Sequence, residues 1–214
     1  MSEARPGEVR QADGNATVGT ANVDSSISTS VAADGLAPAG RLLETFGERA
    51  LLPCFTVVGP SSVPEPYHTL LVHEHHMTIA MQTHHGEPVD VEVVTERRGD
   101  TTYARRSWLR LRSDGRVVQH CTVRIHLPSC SDPVREAILA GRTPLGTILV
   151  DHDVMRRIVP LAYLLVQGAA PIAESFGAAP HTPLYGRVAT IHCDGNPAIE
   201  VLEIVAPEES TDPA

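Results

Sequence analysis

The chain has 214 residues, with 26 acidic against 17 basic side chains and a formal net charge of −9. That is length for one well-packed domain, and too acidic a balance for a general nucleic-acid or membrane-surface partner, since both need a basic face. All 17 basic residues are arginine, so no lysine is available for a Schiff base, and aldolase-type and pyridoxal-phosphate chemistry are excluded.

Residues 1–40 are rich in Ser, Ala, Gly, Thr and Asp, carry no aromatic residue and show no periodicity, which predicts a disordered leader. The leader lacks a basic start followed by an apolar run, and no later stretch approaches the ~20 apolar residues of a membrane span. A soluble, cytoplasmic protein is therefore expected. Arg41 to Phe46 reads as a short helix, and the Pro-rich stretch from Leu51 through Pro60, Pro64 and Pro66 as extended loop. Met77, Ala80, Met81 and His84 follow helical spacing up to Gly86, which predicts a helix over 76–85. Val89, Val91 and Val93 alternate with Asp90, Glu92 and Val94, the pattern of a half-buried strand ending at Thr95, with Arg97-Arg98-Gly99-Asp100 as the turn after it.

Thr102–Arg112 and Arg116–Leu127 read as a long antiparallel hairpin closed at Asp114-Gly115. Ser131-Asp132-Pro133 supplies a cap and an N-terminal proline for a helix to about Ala140. A longer helical region is expected after Leu145, through Val154, Ile158 and Leu161 to Leu165. Tyr185–Cys193 and Ala198–Val205 form a further hairpin across Asp194-Gly195-Asn196. Strands outnumber helices and pair with their sequence neighbours, so an antiparallel α+β domain fits better than a βαβ sheet. Cys54, Cys121, Cys130 and Cys193 lack C-x-x-C spacing and read as reduced structural thiols.

Three segments carry a resemblance when taken together: Val72-His73-Glu74-His75-His76-Met77-Thr78, Thr143-Pro144-Leu145-Gly146, and the closing run Ile199-Glu200-Val201-Leu202-Glu203-Ile204-Val205. In order, spacing and flanking residues they resemble the chorismate lyase family, whose members split pyruvate from chorismate to leave 4-hydroxybenzoate. The actinobacterial branch is the most similar. The resemblance covers about residues 41–207 and implies a single antiparallel β-sheet with flanking helices enclosing a buried ligand pocket, followed by a flexible tail over 208–214. It further implies a small-molecule substrate, chorismate or a related aromatic acid, with no cofactor and no metal, and it leaves a homodimer open.

Chorismate carries two carboxylates and a cyclohexadiene ring, so its site needs fixed cations, and the planar fork of arginine is the natural clamp. Trp108-Leu109-Arg110 copies the letters that carry the clamp in enterobacterial-type members of the family. A turn centred on Asp114-Gly115, however, sets Arg105 opposite Arg124 and Arg110 opposite Gln119. Arg124 precedes Pro128 as the second arginine of the family hairpin does, which favours Arg105 as the clamp over Arg110. Side-chain parity agrees, because Arg105 shares a face with Ser107, Leu109 and Leu111, and Arg110 lies on the other face with Arg106 and Trp108. Solvated strand charges are the plain alternative for all of these.

Glu203, followed four positions later by Pro207, matches the way the family strand ends and is the carboxylate implied to bond the ring hydroxyl. Glu200, on the opposite strand face, is its competitor, and an edge-strand charge is the structural alternative. Met77 and Leu145 carry over as residues bordering the substrate, although either could equally be core. His76 reads as a hydrogen-bonding residue at a helix start. His73, His75, His76, His84 and His85 raise a zinc hypothesis, which the absence of H-E-x-x-H and of a cysteine pair weakens.

The resemblance implies a chorismate pyruvate-lyase, a carbon–oxygen lyase in which aromatisation drives elimination and the protein positions the substrate. A same-fold enzyme acting on another substrate, or a non-catalytic binder of an aromatic or hydrophobic carboxylate, is the alternative. An interaction protein using the polar leader is a third.

Overall fold

The structure is a computed structural model; it describes residues 1 and 24–208, the backbone alone over 24–34. The expected leader and tail therefore fall largely outside the described residues. Helix α1, Asp24–Thr45, already runs through the boundary expected at residue 41, and Ala39, Leu42 and Leu43 at helical spacing bury its inner stripe against the sheet.

The proline-rich stretch contains a strand, β1 (Phe55–Val58), where extended loop was expected. Four residues between prolines carry too little alternation to be read, and β1 exists through its pairing with a strand more than 100 positions later. Two short helices follow, α2 (Tyr67–Leu71) and α3 (Met77–His85). Gly86 ends α3 in the left-handed conformation at φ 69°, as its place in the sequence predicts.

Strands β2 (Val89–Arg98), β3 (Thr102–Leu111) and β4 (Val117–His126) form an antiparallel meander. A bulge at Val94 lets β2 run past its expected end, so Arg97 and Arg98 are strand residues and the turn lies beyond them. Helix α4 (Asp132–Ala140) begins after Ser131 with Pro133 in its first turn, as expected.

The single helix expected from Leu145 to Leu165 is instead helix α5 (Leu145–Asp151) followed by strand β5 (Arg156–Val166). Asp153, at φ 50°, breaks the helix. Beyond it Ile158, Ala162, Leu164 and Val166 are buried and Leu161 is exposed, which is the alternation of a strand interrupted by an irregularity between Pro160 and Ala162. The helical spacing of 154, 158, 161 and 165 was coincidental. After the short helix α6 (Ala170–Ser175), β6 (Leu184–Cys193) and β7 (Asn196–Val205) make the expected hairpin.

Among the described residues seven strands join one sheet in the order β1-β5-β6-β7-β4-β3-β2. Two sequence-local meanders, β2-β3-β4 and β5-β6-β7, are welded by β4 against β7, with every pairing antiparallel. The fold is the expected antiparallel α+β class. One face packs under α2–α5 through Leu71, Met81, Leu109, Ile138, Leu149 and Ile191. The other face packs under α1 and α6 through Leu42, Leu164, Ile172, Leu202 and Ile204.

Register corrects one step of the sequence reading. Arg105 faces Val123, Arg124 faces Ala104, and Arg110 faces Val117 across a bulge that follows Leu109. The bulge adds a residue on β4 that turn counting cannot see. Arg124 is consequently on the opposite sheet face from Arg105, not beside it.

Candidate functional site

Between the sheet and the N-terminal ends of α3 and α5 lies a cavity of ≈ 40 Å³ water-accessible volume, whose wall includes Arg105, Ser107, Gln119, Cys121 and Glu203. These are consecutive same-face positions on three adjacent strands: Ser107 faces Cys121, and Cys121 faces Glu203. Arg105 and Glu203 thus approach the cavity from strands two spacings, roughly 10 Å, apart. Apolar walls come from Leu109, Val123, Val201 and Ile191 below, and Met77 and Leu145 above.

The roof is made by close contact between two helix starts. A Cβ at Gly146 would stand 2.8 Å from Thr78 Oγ1 and 3.1 Å from His76 Cβ, so only glycine lets the Thr-Pro-Leu-Gly turn seat against α3. His76 precedes α3, is buried, and accepts a hydrogen bond at Nε2 from Arg156 Nε. Burial, followed by the charges of Arg156 and Arg187, pulls its imidazole down to about 4. The ring is neutral at physiological pH, a polar wall rather than a cation.

Two buried arginines meet opposite treatment here. Arg187 Nε donates to Glu203 Oε2 at 2.7 Å. Its other nitrogens donate to the carbonyls of Leu71 at 3.1 Å, His73 at 2.8 Å and His75 at 3.1 Å. It therefore fastens both the glutamate and the segment that leads into α3. Arg105 is 2% exposed, yet its Nε and Nη1 have no hydrogen-bond partner, and among the described residues it forms no ion pair. Glu203 Oε1 receives only a 3.5 Å contact from Gln119 Nε2, and Gln119 Oε1 is buried without a partner. Cys121 is no nucleophile, because burial, with the Glu203 charge next, raises its thiol far above the usual range.

Of the residues singled out from sequence, the structure brings Arg105, Glu203, Met77, Leu145 and His76 to this one cavity. Arg110 lies on the far face, paired with Glu92 and stacked over the Trp108 ring at 4.9 Å. Arg124 is also on that face, bonded to Glu200 at 2.7 Å, with Arg41 on the other Glu200 oxygen at 3.0 Å. Arg187, Gln119 and Arg156 were missed. Arg187 had one available signal, an arginine alternating with buried positions in a strand opposite Glu203, but that pairing needs the β6–β7 register. His73, His75 and His76 do not converge on a ligand set; among the described residues His84, His85 and Glu208 are the one such group.

No family model matches the chain, and no curated protein does. Among solved structures it is similar to PhnF from Mycobacterium smegmatis, at 15% identity and TM-score 0.50 over 65% of this chain and 67% of that one. The effector domain of the same protein matches at 14% identity and TM-score 0.47, over 64% of this chain and 91% of the domain. The ligand-binding domain of a protein described as a GntR-family transcriptional regulator from Bordetella bronchiseptica matches at 14% identity and TM-score 0.44, over 56% and 86%. The first of these likenesses supports the fold alone: an antiparallel, chorismate-lyase-like α+β domain. None of the three is described as a lyase. Among the described residues, no helix is long and apolar enough to cross a membrane.

Proposed function

We propose that this domain binds a small aromatic or hydrophobic carboxylate in the cavity beneath α3 and α5. The observation that carries the reading is Arg105, a buried guanidinium with two unpartnered nitrogens and, among the described residues, no ion pair, its nearest cross-strand acid being Glu96 on β2. A buried charge short of hydrogen-bond partners costs several kcal/mol, and an anionic ligand that accepts from the guanidinium offsets that cost. Across the cavity, Gln119 Oε1 has no donor and Glu203 Oε1 only a long one at 3.5 Å, which suits a hydroxyl at the far end of the same ligand. The apolar floor and roof suit a ring between them. The ligand class is therefore a ring bearing a carboxylate at one end and a hydroxyl at the other.

Titration with 4-hydroxybenzoate, followed by calorimetry and thermal melting, tests this. Saturable binding that is lost in Arg105→Met supports it. Equal binding by Arg105→Met, or no melting shift from any of a panel of hydroxybenzoates, overturns it.

A second reading, chorismate pyruvate-lyase, is favoured by the placement of Glu203 across the same apolar cavity from Arg105. Chorismate would lay a carboxylate on Arg105 and its ring hydroxyl on Glu203, and loss of the enolpyruvyl arm as pyruvate would leave aromatic 4-hydroxybenzoate. The protein's share would be orientation and a dry, preorganised electrostatic setting. Pyruvate release from chorismate, coupled to lactate dehydrogenase, distinguishes the readings. Equimolar pyruvate and 4-hydroxybenzoate establish the lyase, and tight 4-hydroxybenzoate binding with no pyruvate establishes the binder.

A further inference from the structure

The last turn of α3 and the segment following β7 bring together a cluster outside the cavity. His84, His85 and Glu208 each present one ligand-capable atom, and the three atoms lie within 4.8 Å of one another. His84 Nε2 stands 3.6 Å from Glu208 Oε2, and His85 Nε2 stands 3.8 Å from Oε1. Those separations are too long for hydrogen bonds. They are close to the ~3.3 Å that separates ligand atoms around a tetrahedral ion with bonds near 2.0–2.1 Å.

A second observation points the same way. The His85 side chain is 6% exposed, and its Nε2 is buried with no hydrogen-bond partner while facing the carboxylate. The ring faces the carboxylate just beyond hydrogen-bond reach, and a cation between them supplies bonds to both.

The surroundings suit that cation. The two rings are set edge to face with centroids 4.7 Å apart, and the backbone N–H of Glu208 donates to Tyr67 Oη at 2.9 Å, which fixes where the carboxylate hangs. The C-terminal end of α3 contributes the negative pole of its dipole. Glu87 adds negative charge nearby, and Arg116 an opposing positive one.

We propose that His84, His85 and Glu208 form a site for a divalent transition-metal ion of the zinc class, with three protein ligands and a remaining position for water. The ion clamps the C-terminal end of α3, whose other end roofs the cavity, to the chain that follows β7. His73 and His75 make a natural control. Their rings stack at 5.6 Å, but His73 already spends Nε2 on the Leu70 carbonyl and Nδ1 on the His75 N–H.

The test is titration of the full chain, first stripped with a chelator, with Zn(II) by calorimetry and Co(II) by visible absorption. One saturable equivalent is expected, with a four-coordinate Co(II) band, and both Glu208→Gln and His84→Ala weaken it by about tenfold or more. These two side chains are not core, so loss of fold does not mimic loss of metal, and a far-UV spectrum checks it. His75→Ala leaves the affinity unchanged. No saturable binding, or binding that survives Glu208→Gln and His84→Ala, or binding that His75→Ala abolishes, overturns the proposal.

Discussion

Arg187 and Arg105 are almost equally buried, at 1% and 2% exposure, on the same sheet face, Arg105 lining the cavity and Arg187 bonded to the Glu203 that lines it. The protein nevertheless treats them oppositely. Every nitrogen of Arg187 has a partner: a carboxylate and three backbone carbonyls. Arg105 keeps Nε and Nη1 unpartnered. The first is a structural cation whose cost folding already offsets; the second is a cation whose Nε and Nη1 the described residues leave without partners. Burial alone does not separate the two roles, whereas hydrogen-bond bookkeeping does.

The sharpest way to break this contrast is to remove Arg187. Arg187→Met strands Glu203 as a lone buried charge and frees three carbonyls, so a loss of about 3–5 kcal/mol in denaturant unfolding is expected. A loss below about 1 kcal/mol would mean that the pair is not structural.

Histidines show the same division and give the next largest effect. His76 takes the Arg156 bond, whereas His120, buried on the opposite face, has an unpartnered Nδ1. Burial first, and arginine charge second, draws both down to about 4. Above the ordinary histidine value both rings are neutral in the folded and unfolded states. Between about 6.5 and about 4 the unfolded chain binds protons that the folded chain refuses, so stability must fall as pH falls through that window. Each ring contributes at most about 3 kcal/mol. Denaturant midpoints at pH 7 and pH 4.5, in the protein and in His120→Gln, should show a smaller acid loss in the variant.

Arg105→Met sharpens the comparison from the other side. Removal of an unpaired buried cation should leave the melting temperature equal or higher, while carboxylate affinity drops by about 1.5–3 kcal/mol, the worth of charged hydrogen bonds. A destabilised Arg105→Met that still binds would reverse the assignment. Smallest are Arg110→Ala and Arg124→Ala, on the face away from the cavity. Each should change stability by no more than about 1 kcal/mol and leave ligand affinity unaltered.

What could be read in advance follows how local the physics is. The α3 helix, the β3–β4 hairpin and the β6–β7 hairpin were legible because their periodicity and turn residues are contiguous. Parity along β3 was enough to set Arg105 apart from Arg110, since alternation survives an error in register. The counterpart assigned to Arg105 did not survive, because a single bulge after Leu109 moved Arg124 to Ala104 and hence to the other face. The tract from 145 to 165 failed for a related reason: its apolar spacing satisfied a helix, and the strand there exists by virtue of pairing with β6, beyond the intervening α6, and with β1, more than 100 positions away.

The sequence by itself determined the antiparallel α+β class, the acidic and lysine-free character that narrows the chemistry, and the face on which Arg105 lies, all of them consequences of composition and short-range alternation. Tertiary structure alone decided that Arg187 neutralises Glu203 while Arg105 goes unpaired, and that His84 and His85 meet Glu208. Those outcomes depend on which strands become neighbours and on which polar groups are left over once the core has closed, and neither is written in any local stretch of the chain.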